Sequence, residues 1–213
     1  MAKATLGLLR EASSMRLSGL CVSFLLRGCV VAAAAAATAT TVTFQLLYGF
    51  FVIEHGRSSI LRFNVTDHPT AEWVIQQLRE AFPEAFPEAD PYRYAIFDRD
   101  STFSEEVVAF LEATGLKPKR TSVQAPWQNG VAERWIGSAR RDCFDHVIAL
   151  NEAHVRRLGR EFIAYYHEDR THLGLDKDTP SERPIEGKPE GAELESVARV
   201  GGLHHGYIWK AAA

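Results

Sequence analysis

The spacing of apolar and polar residues changes several times along the chain, and each change marks an element. Residues 42–53 form a nearly continuous apolar run rich in Val, Phe, Tyr, Leu and Ile. Glu54-His55-Gly56-Arg57-Ser58 supplies turn residues, and Ile60, Phe63 and Val65 continue in a second extended run, which together predict a β-hairpin. Pro69 opens a helix in which Ala71, Val74, Ile75, Leu78 and Phe82 recur at helical spacing, and Pro83 closes it. After an acidic, Pro-rich loop, Tyr92, Tyr94 and Ile96 alternate with Arg93, Ala95 and Phe97 in a short strand that delivers Asp98 at its end. Ser104 has the chemistry of an N-cap; Val107, Phe110, Leu111 and Thr114 share a face behind it, and Gly115 stops that helix. Residues 117–123 predict another strand, 124–129 a loop containing Pro126, and 130–150 and 151–169 two further helices. The order strand, strand, helix, strand, helix, strand, helix implies an α/β fold with a mixed sheet flanked by helices.

The first forty residues follow no such pattern. Lys3, Arg10 and Arg16 precede an apolar run over 17–37 that ends in six consecutive alanines, Ala32 to Ala37. Such a stretch imitates a secretory signal or a membrane span. Arg27 interrupts it, at a cost of about 2.5–3.5 kcal/mol for a charge at the centre of a spanning helix. The reading taken is a low-complexity leader over 1–40, non-native or disordered, then a core over 41–184 and an irregular tail over 185–213. Membrane anchoring is the rejected alternative, and a cytoplasmic location fits.

At 213 residues, with 46% hydrophobic and 24% charged content, the chain can bury one core and is neither fibrous nor wholly disordered. The formal net charge of -3 hides a division. Residues 116–166 hold nine Lys or Arg against five acids, an excess that suits a polyanion-facing surface or, more blandly, solvated helix faces. Cys21, Cys29 and Cys143 lack C-x-x-C spacing, so neither a disulfide framework nor a structural metal is expected.

The candidate chemistry lies in two carboxylates. Asp98 sits where a strand runs out, and Glu133 lies early in a helix that follows a Pro/Gly loop. If they meet, they offer hard oxygen ligands for Mg²⁺ or Mn²⁺, and paired ions of that kind serve phosphodiester chemistry. Spacing alone is weak evidence; the surrounding residues are stronger. Phe97-Asp98-Arg99-Asp100-Ser101-Thr102-Phe103, Pro126-Trp127-Gln128-Asn129-Gly130-Val131-Ala132-Glu133-Arg134, and Tyr165-Tyr166-His167-Glu168-Asp169-Arg170-Thr171-His172 followed by Thr179-Pro180 occur in this order. In these motifs the chain resembles the catalytic core of retroviral-type integrases and bacterial insertion-sequence transposases.

That resemblance implies a ribonuclease H-like fold, DNA and further copies of the chain as partners, no small-molecule substrate, and an Asp-Asp-Glu set holding Mg²⁺ or Mn²⁺ for DNA cleavage and strand transfer. Asp98 matches the second family carboxylate and Glu133 the third. Asp100 is the rival for Asp98, with a turn-capping role as its alternative. Counting back to the first family Asp lands near Ala35, and there is no Asp or Glu between Ala12 and Ile53. The expectation is therefore a degenerate member whose opening strand is replaced and whose hairpin exposes an unpaired edge, inactive as it stands. A non-catalytic DNA-binding or subunit-interaction remnant is the alternative. Trp127, Asn129, Arg140 and Arg141 are the candidate nucleic-acid contacts; for Trp127 core packing, and for the arginines local pairing with Asp142 or Asp145, are the competing roles.

Overall fold

The computed structural model describes residues 29–33, 39–41, 46–82, 92–123 and 125–211. Its main sheet contains β1 (Cys29–Ala33), β2 (Ala39–Thr40), β3 (Leu46–Glu54), β4 (Ile60–Thr66), β5 (Tyr94–Phe97) and β6 (Lys117–Arg120). The strand β1 is central: it runs antiparallel to β3, with Ala32 opposite Val52, and parallel to β5, with Val31 opposite Ile96. The strand β6 lies parallel beyond β5, β4 lies antiparallel on β3, and β2 pairs the first residues of β3.

This arrangement corrects the expected loss of the opening strand. A strand does occupy that place, and it pairs on both sides, so the hairpin has no vacant edge there. Its residues, Cys-Val-Val-Ala-Ala, are small or β-branched and compatible with extended backbone. What the strand lacks is a carboxylate. Ala35, the position reached by counting back, lies outside the described residues.

The apolar run of β3 is continuous because both of its faces are covered. Phe50 and Val52 join Ala95, Phe97 and Phe103 beneath α1 (Ala71–Ala81) and α2 (Glu105–Ala113). Phe51 and Ile53 face the other way, toward Trp135 and Ala139 of α3 (Gly130–Asp142) and Leu158, Phe162 and Tyr166 of α4 (Glu152–Glu168). Two layers of helices thus enclose one sheet. Helix α4 approaches β4 at Gly159, where a Cβ would lie 2.1 Å from the Phe63 ring, so any larger residue would push the helix off the sheet.

Helix ends follow the local chemistry. The Thr70 hydroxyl accepts the Trp73 amide at 3.2 Å to cap α1, and Asn151 Oδ1 accepts the His154 amide at 2.9 Å to cap α4. Ser104 stands at the cap position of α2, yet its buried hydroxyl makes no hydrogen bond among the described residues. The helix expected to run to residue 150 ends at Asp142, where a 3-10 turn (Phe144–His146) takes over.

The free edge of β4 is occupied by side chains. Arg156 donates from Nε to Asn64 Oδ1 at 2.7 Å and from Nη2 to the Val65 carbonyl at 3.0 Å. On the opposite border, β6 reads Lys-Pro-Lys-Arg.

The C-terminal stretch, expected to be irregular, is a two-stranded sheet of β7 (Ala192–Arg199) and β8 (His204–Ala211), turned through Gly201 and Gly202 at positive φ. Alternating β-formers on either side of a Gly-Gly turn account for it. It is anchored: His204 stacks on Tyr165 at 4.2 Å, its Nε2 lies 2.7 Å from the Asp142 carbonyl, and Arg199 Nε donates to the buried Asp169 carboxylate at 2.7 Å. The β3–β4 turn is tied down likewise, since Arg57 reaches Asp178 Oδ2 and the carbonyls of Thr179 and Pro180, and the Ile60 amide donates to His167 Nε2 at 2.8 Å.

Candidate active site

Asp98 is the first residue after β5. Along that strand Ala95 and Phe97 point into the α1–α2 layer while Ile96 packs on the α3–α4 layer. By the same alternation Asp98 falls on the α3 side. Continuing the β1–β5 register from Val31 and Ile96 by two residues sets Ala33 beside Asp98. The fold therefore presents a strand position next to Asp98, and the residue there is alanine.

The turn that carries Asp98 is firmly built. Asp98 Oδ1 accepts the Asp100 amide at 3.2 Å, Asp100 Oδ1 accepts the Thr102 amide at 2.8 Å, and the Phe103 amide closes on the Asp100 carbonyl at 3.1 Å. Asp100 thus caps the turn through Oδ1, and Asp98 supports it from the strand end. From β6, Arg120 donates to the Phe103 carbonyl at 2.7 Å, and Arg99 donates back to the Thr121 carbonyl at 3.0 Å. Partial burial raises the Asp98 pKa above the usual carboxylate value; the Asp100 amide opposes that rise and the Asp100 charge adds to it.

Glu133 lies in the first turn of α3, where the helix dipole favours a carboxylate. It is exposed and has no hydrogen bond or ion pair among the described residues. Because α3 packs on β1, the helix sets Glu133 on the same side of the sheet as Asp98. Among the described residues no group of three or more acids, histidines or cysteines is placed to hold a metal ion. Two carboxylates suit one loosely held hard cation and fall short of the arrangement that clamps two.

The candidate nucleic-acid residues separate by environment. Trp127 is 74% exposed and does not join the core. Its loop is stapled by Gln128, whose amide oxygen accepts the Ser122 N–H at 2.6 Å and whose nitrogen donates to Ser122 Oγ at 3.2 Å. Asn129 is not at the surface: it is 5% exposed, and its Oδ1 is buried immediately before α3 with no hydrogen-bond partner among the described residues. Arg140 leans toward Asp145 at 3.6 Å, while Asp142 is taken by Arg170 at 3.0 Å. Arg141 is exposed with no ion pair among the described residues.

One group joins residues that the sequence motifs hold apart. The Arg134 charge, next to Glu133, acts on His55, Tyr166 and His172. Burial holds all three histidines, His55, His167 and His172, below their ordinary pKa and pushes the Tyr166 hydroxyl up to about 12. These residues come from the hairpin turn, from the end of α4 and from the turn that follows it, and the sequence motifs do not show that they meet.

A central strand antiparallel to one neighbour and parallel to the next, with helices on both faces, defines a ribonuclease H-like α/β core. Among solved structures, the chain is similar to a chain of the simian T-cell lymphotropic virus intasome, determined in complex with PP2A regulatory subunit B56 gamma, with a TM-score of 0.55 and 12% identity over 88% of this chain and 68% of that one. It is likewise similar to the HTLV-2 integrase catalytic core domain in complex with magnesium, in a trimeric form, with a TM-score of 0.55 and 10% identity over 74% of this chain and 96% of that one. Residues 114–180 match the family model described as the integrase core domain, a segment that contains Glu133 and the end of α4 and stops short of Asp98. The curated proteins gave no match. The family match and the fold together support an integrase/transposase-type catalytic core. No helix among the described residues is long and apolar enough to cross a membrane.

Proposed function

We propose that the protein is the core of a DNA integration or transposition enzyme that still engages DNA but has lost efficient cleavage and strand transfer. Asp98 and Glu133 are the surviving metal-binding carboxylates, DNA is the substrate, and further copies of the chain are partners. What supports this reading is that β1 runs parallel to β5 with Val31 opposite Ile96 and carries no carboxylate, so that continuing the register by two residues reaches Ala33 at the level of Asp98. A divalent ion bound by the two remaining acids would polarise a phosphodiester oxygen. The chain's own contribution is to hold Asp98 in a hydrogen-bonded turn and to present Glu133 from a helix N-terminus.

A strand-transfer assay with Mn²⁺ and a labelled DNA end tests the proposal. At most residual product is expected, with DNA binding retained. Robust joining that disappears in Asp98→Ala would overturn the inactivity, and absence of any DNA binding by the folded chain would overturn the DNA role. Arg141, exposed and without an ion pair among the described residues, supports the second reading, a non-catalytic DNA-binding or subunit-interaction remnant, which the same assay distinguishes by complete lack of turnover.

A further inference from the structure

On the far side of the turn that bears Asp98 is a cavity of about 330 Å³, at the small end of the range for ligand sites. It is bounded by Tyr48 and Phe50 of β3, by Trp73 at the start of α1, and by Asp100, Ser101 and Thr102. Phe50 and Trp73 meet edge to face at 5.8 Å and 83°, and Phe50 is 1% exposed, so the aromatic wall is held in place by the core. Asp100 is fixed too: both the amide and the hydroxyl of Thr102 donate to Oδ1. Its other oxygen has no hydrogen bond among the described residues and remains an acceptor. Among the described residues no Lys, Arg or His lines the cavity.

These properties select among ligands. A phosphate finds no cation and meets a carboxylate. An aliphatic group leaves the carboxylate without a donor. A flat ring bearing an N–H donor satisfies both features, stacking on the aromatic side chains while it donates to Asp100, as an Asp accepts from the amino group of cytosine. We propose that this cavity receives an unstacked nucleobase carrying an exocyclic amino group, cytosine or adenine in preference to thymine, whose one N–H donor, at N3, is flanked by two carbonyl oxygens that would face the Asp100 carboxylate. The inference rests on the proposed DNA function: a strand with its phosphodiester at Asp98 passes over the same five-residue turn, Asp98 to Thr102, and can turn one base into the cavity on the other side.

The test titrates deoxycytidine, deoxyadenosine and thymidine into the full chain by saturation-transfer NMR, with a thermal melt of each variant and duplex-DNA binding in parallel. The amino-bearing nucleosides are expected to bind in the roughly millimolar range of a small fragment, ahead of thymidine. Asp100→Asn should abolish that preference. Trp73→Leu should weaken all three by about tenfold, the scale of one lost stacking contact. If Trp73→Leu fails to fold, the surface variant Asp100→Asn still decides. No nucleoside binding by the folded chain, or binding indifferent to both variants, overturns the proposal. So does stronger binding of N-acetyl-arginine amide than of deoxycytidine, which would assign the cavity to a cationic side chain of a protein partner. Duplex binding without nucleoside binding sinks the cavity alone, whereas nucleoside binding without duplex binding sinks the integrase reading and leaves the cavity.

Discussion

The neighbouring strands β1 and β3 occupy equally central positions and do different work. Strand β3 sends Phe50 and Val52 to one helical layer and Phe51 and Ile53 to the other, all at or below 1% exposure, and both layers are assembled around it. Strand β1 is a run of five small or β-branched residues placed by backbone pairing on either side. The architecture depends on the first, and under the proposed function the chemistry depends on the end of the second. A sheet can keep its shape through backbone pairing while a strand in its middle carries no acid.

The sharpest way to break this contrast is to attack β3. Phe51→Ala removes a ring packed 4.3 Å from Trp135 and should cost about 3–5 kcal/mol, enough to unfold a marginal domain. Chemical denaturation reads the loss, and a cost below about 1 kcal/mol would show that β3 is not the organising strand.

The converse change is Ala33→Asp. A third carboxylate beside Asp98 should tighten Mn²⁺ binding by about tenfold, equivalent to roughly 1.4 kcal/mol, with little change in fold. Mn²⁺ titration by EPR would report it. Unchanged affinity would mean that β1 lies out of the register that joins Val31 to Ile96.

A third prediction sharpens the DNA side of the comparison. Because Arg140 leans on Asp145 and Arg141 has no ion pair among the described residues, Arg141→Ala alone should reduce the slope of log affinity against log salt by about 0.9 on duplex DNA, and Arg140→Ala by less. Equal slopes for the parent and both variants would reduce α3 to a solvated face.

The smallest expected effect is on pH. His167 Nε2 accepts the Ile60 amide and must be neutral to do so, and burial followed by the His172 charge lowers its pKa below 6.5. With the folded value depressed, the unfolded chain binds more protons in the window below 6.5, so stability is complete above that pH and falls as pH drops through the folded pKa. His55 and His172 act in the same direction, while the raised pKa of Asp98 acts oppositely and at lower pH. His167→Gln, which keeps an acceptor without titrating, should flatten the melting temperature between pH 7 and 5. An unaltered pH profile would remove His167 from this account.

Much of the fold was legible in the chain because its signals are local. The turn residues after Ile53, the capping Asn151 and the alternation up to Phe97 each specify an element within a few residues. Two features were not. An alanine-rich segment has no side-chain pattern to announce a strand, and β1 is defined by partners that lie about twenty and sixty-five residues away, at Val52 and Ile96. The tail over 185–213 reads as irregular because its strands flank a Gly-Gly turn and pair only with each other. Asp98 and Glu133 stand out in the sequence through the motifs around them. The burial of Asn129 does not, since a polar residue in a Pro/Gly loop ordinarily faces water. The histidines around Arg134 and the aromatic cavity escaped for a simpler reason, being assembled from three distant segments each.

The two borders of the sheet have a further consequence. At β4 the guanidinium of Arg156 takes a carbonyl that another strand would need, and at β6 a proline and three cations stand along the rim. Either device discourages strand-to-strand growth. The sheet is finite by construction: copies of this chain that meet must do so through side-chain surfaces, and a rise in concentration should yield discrete assemblies, not fibrils.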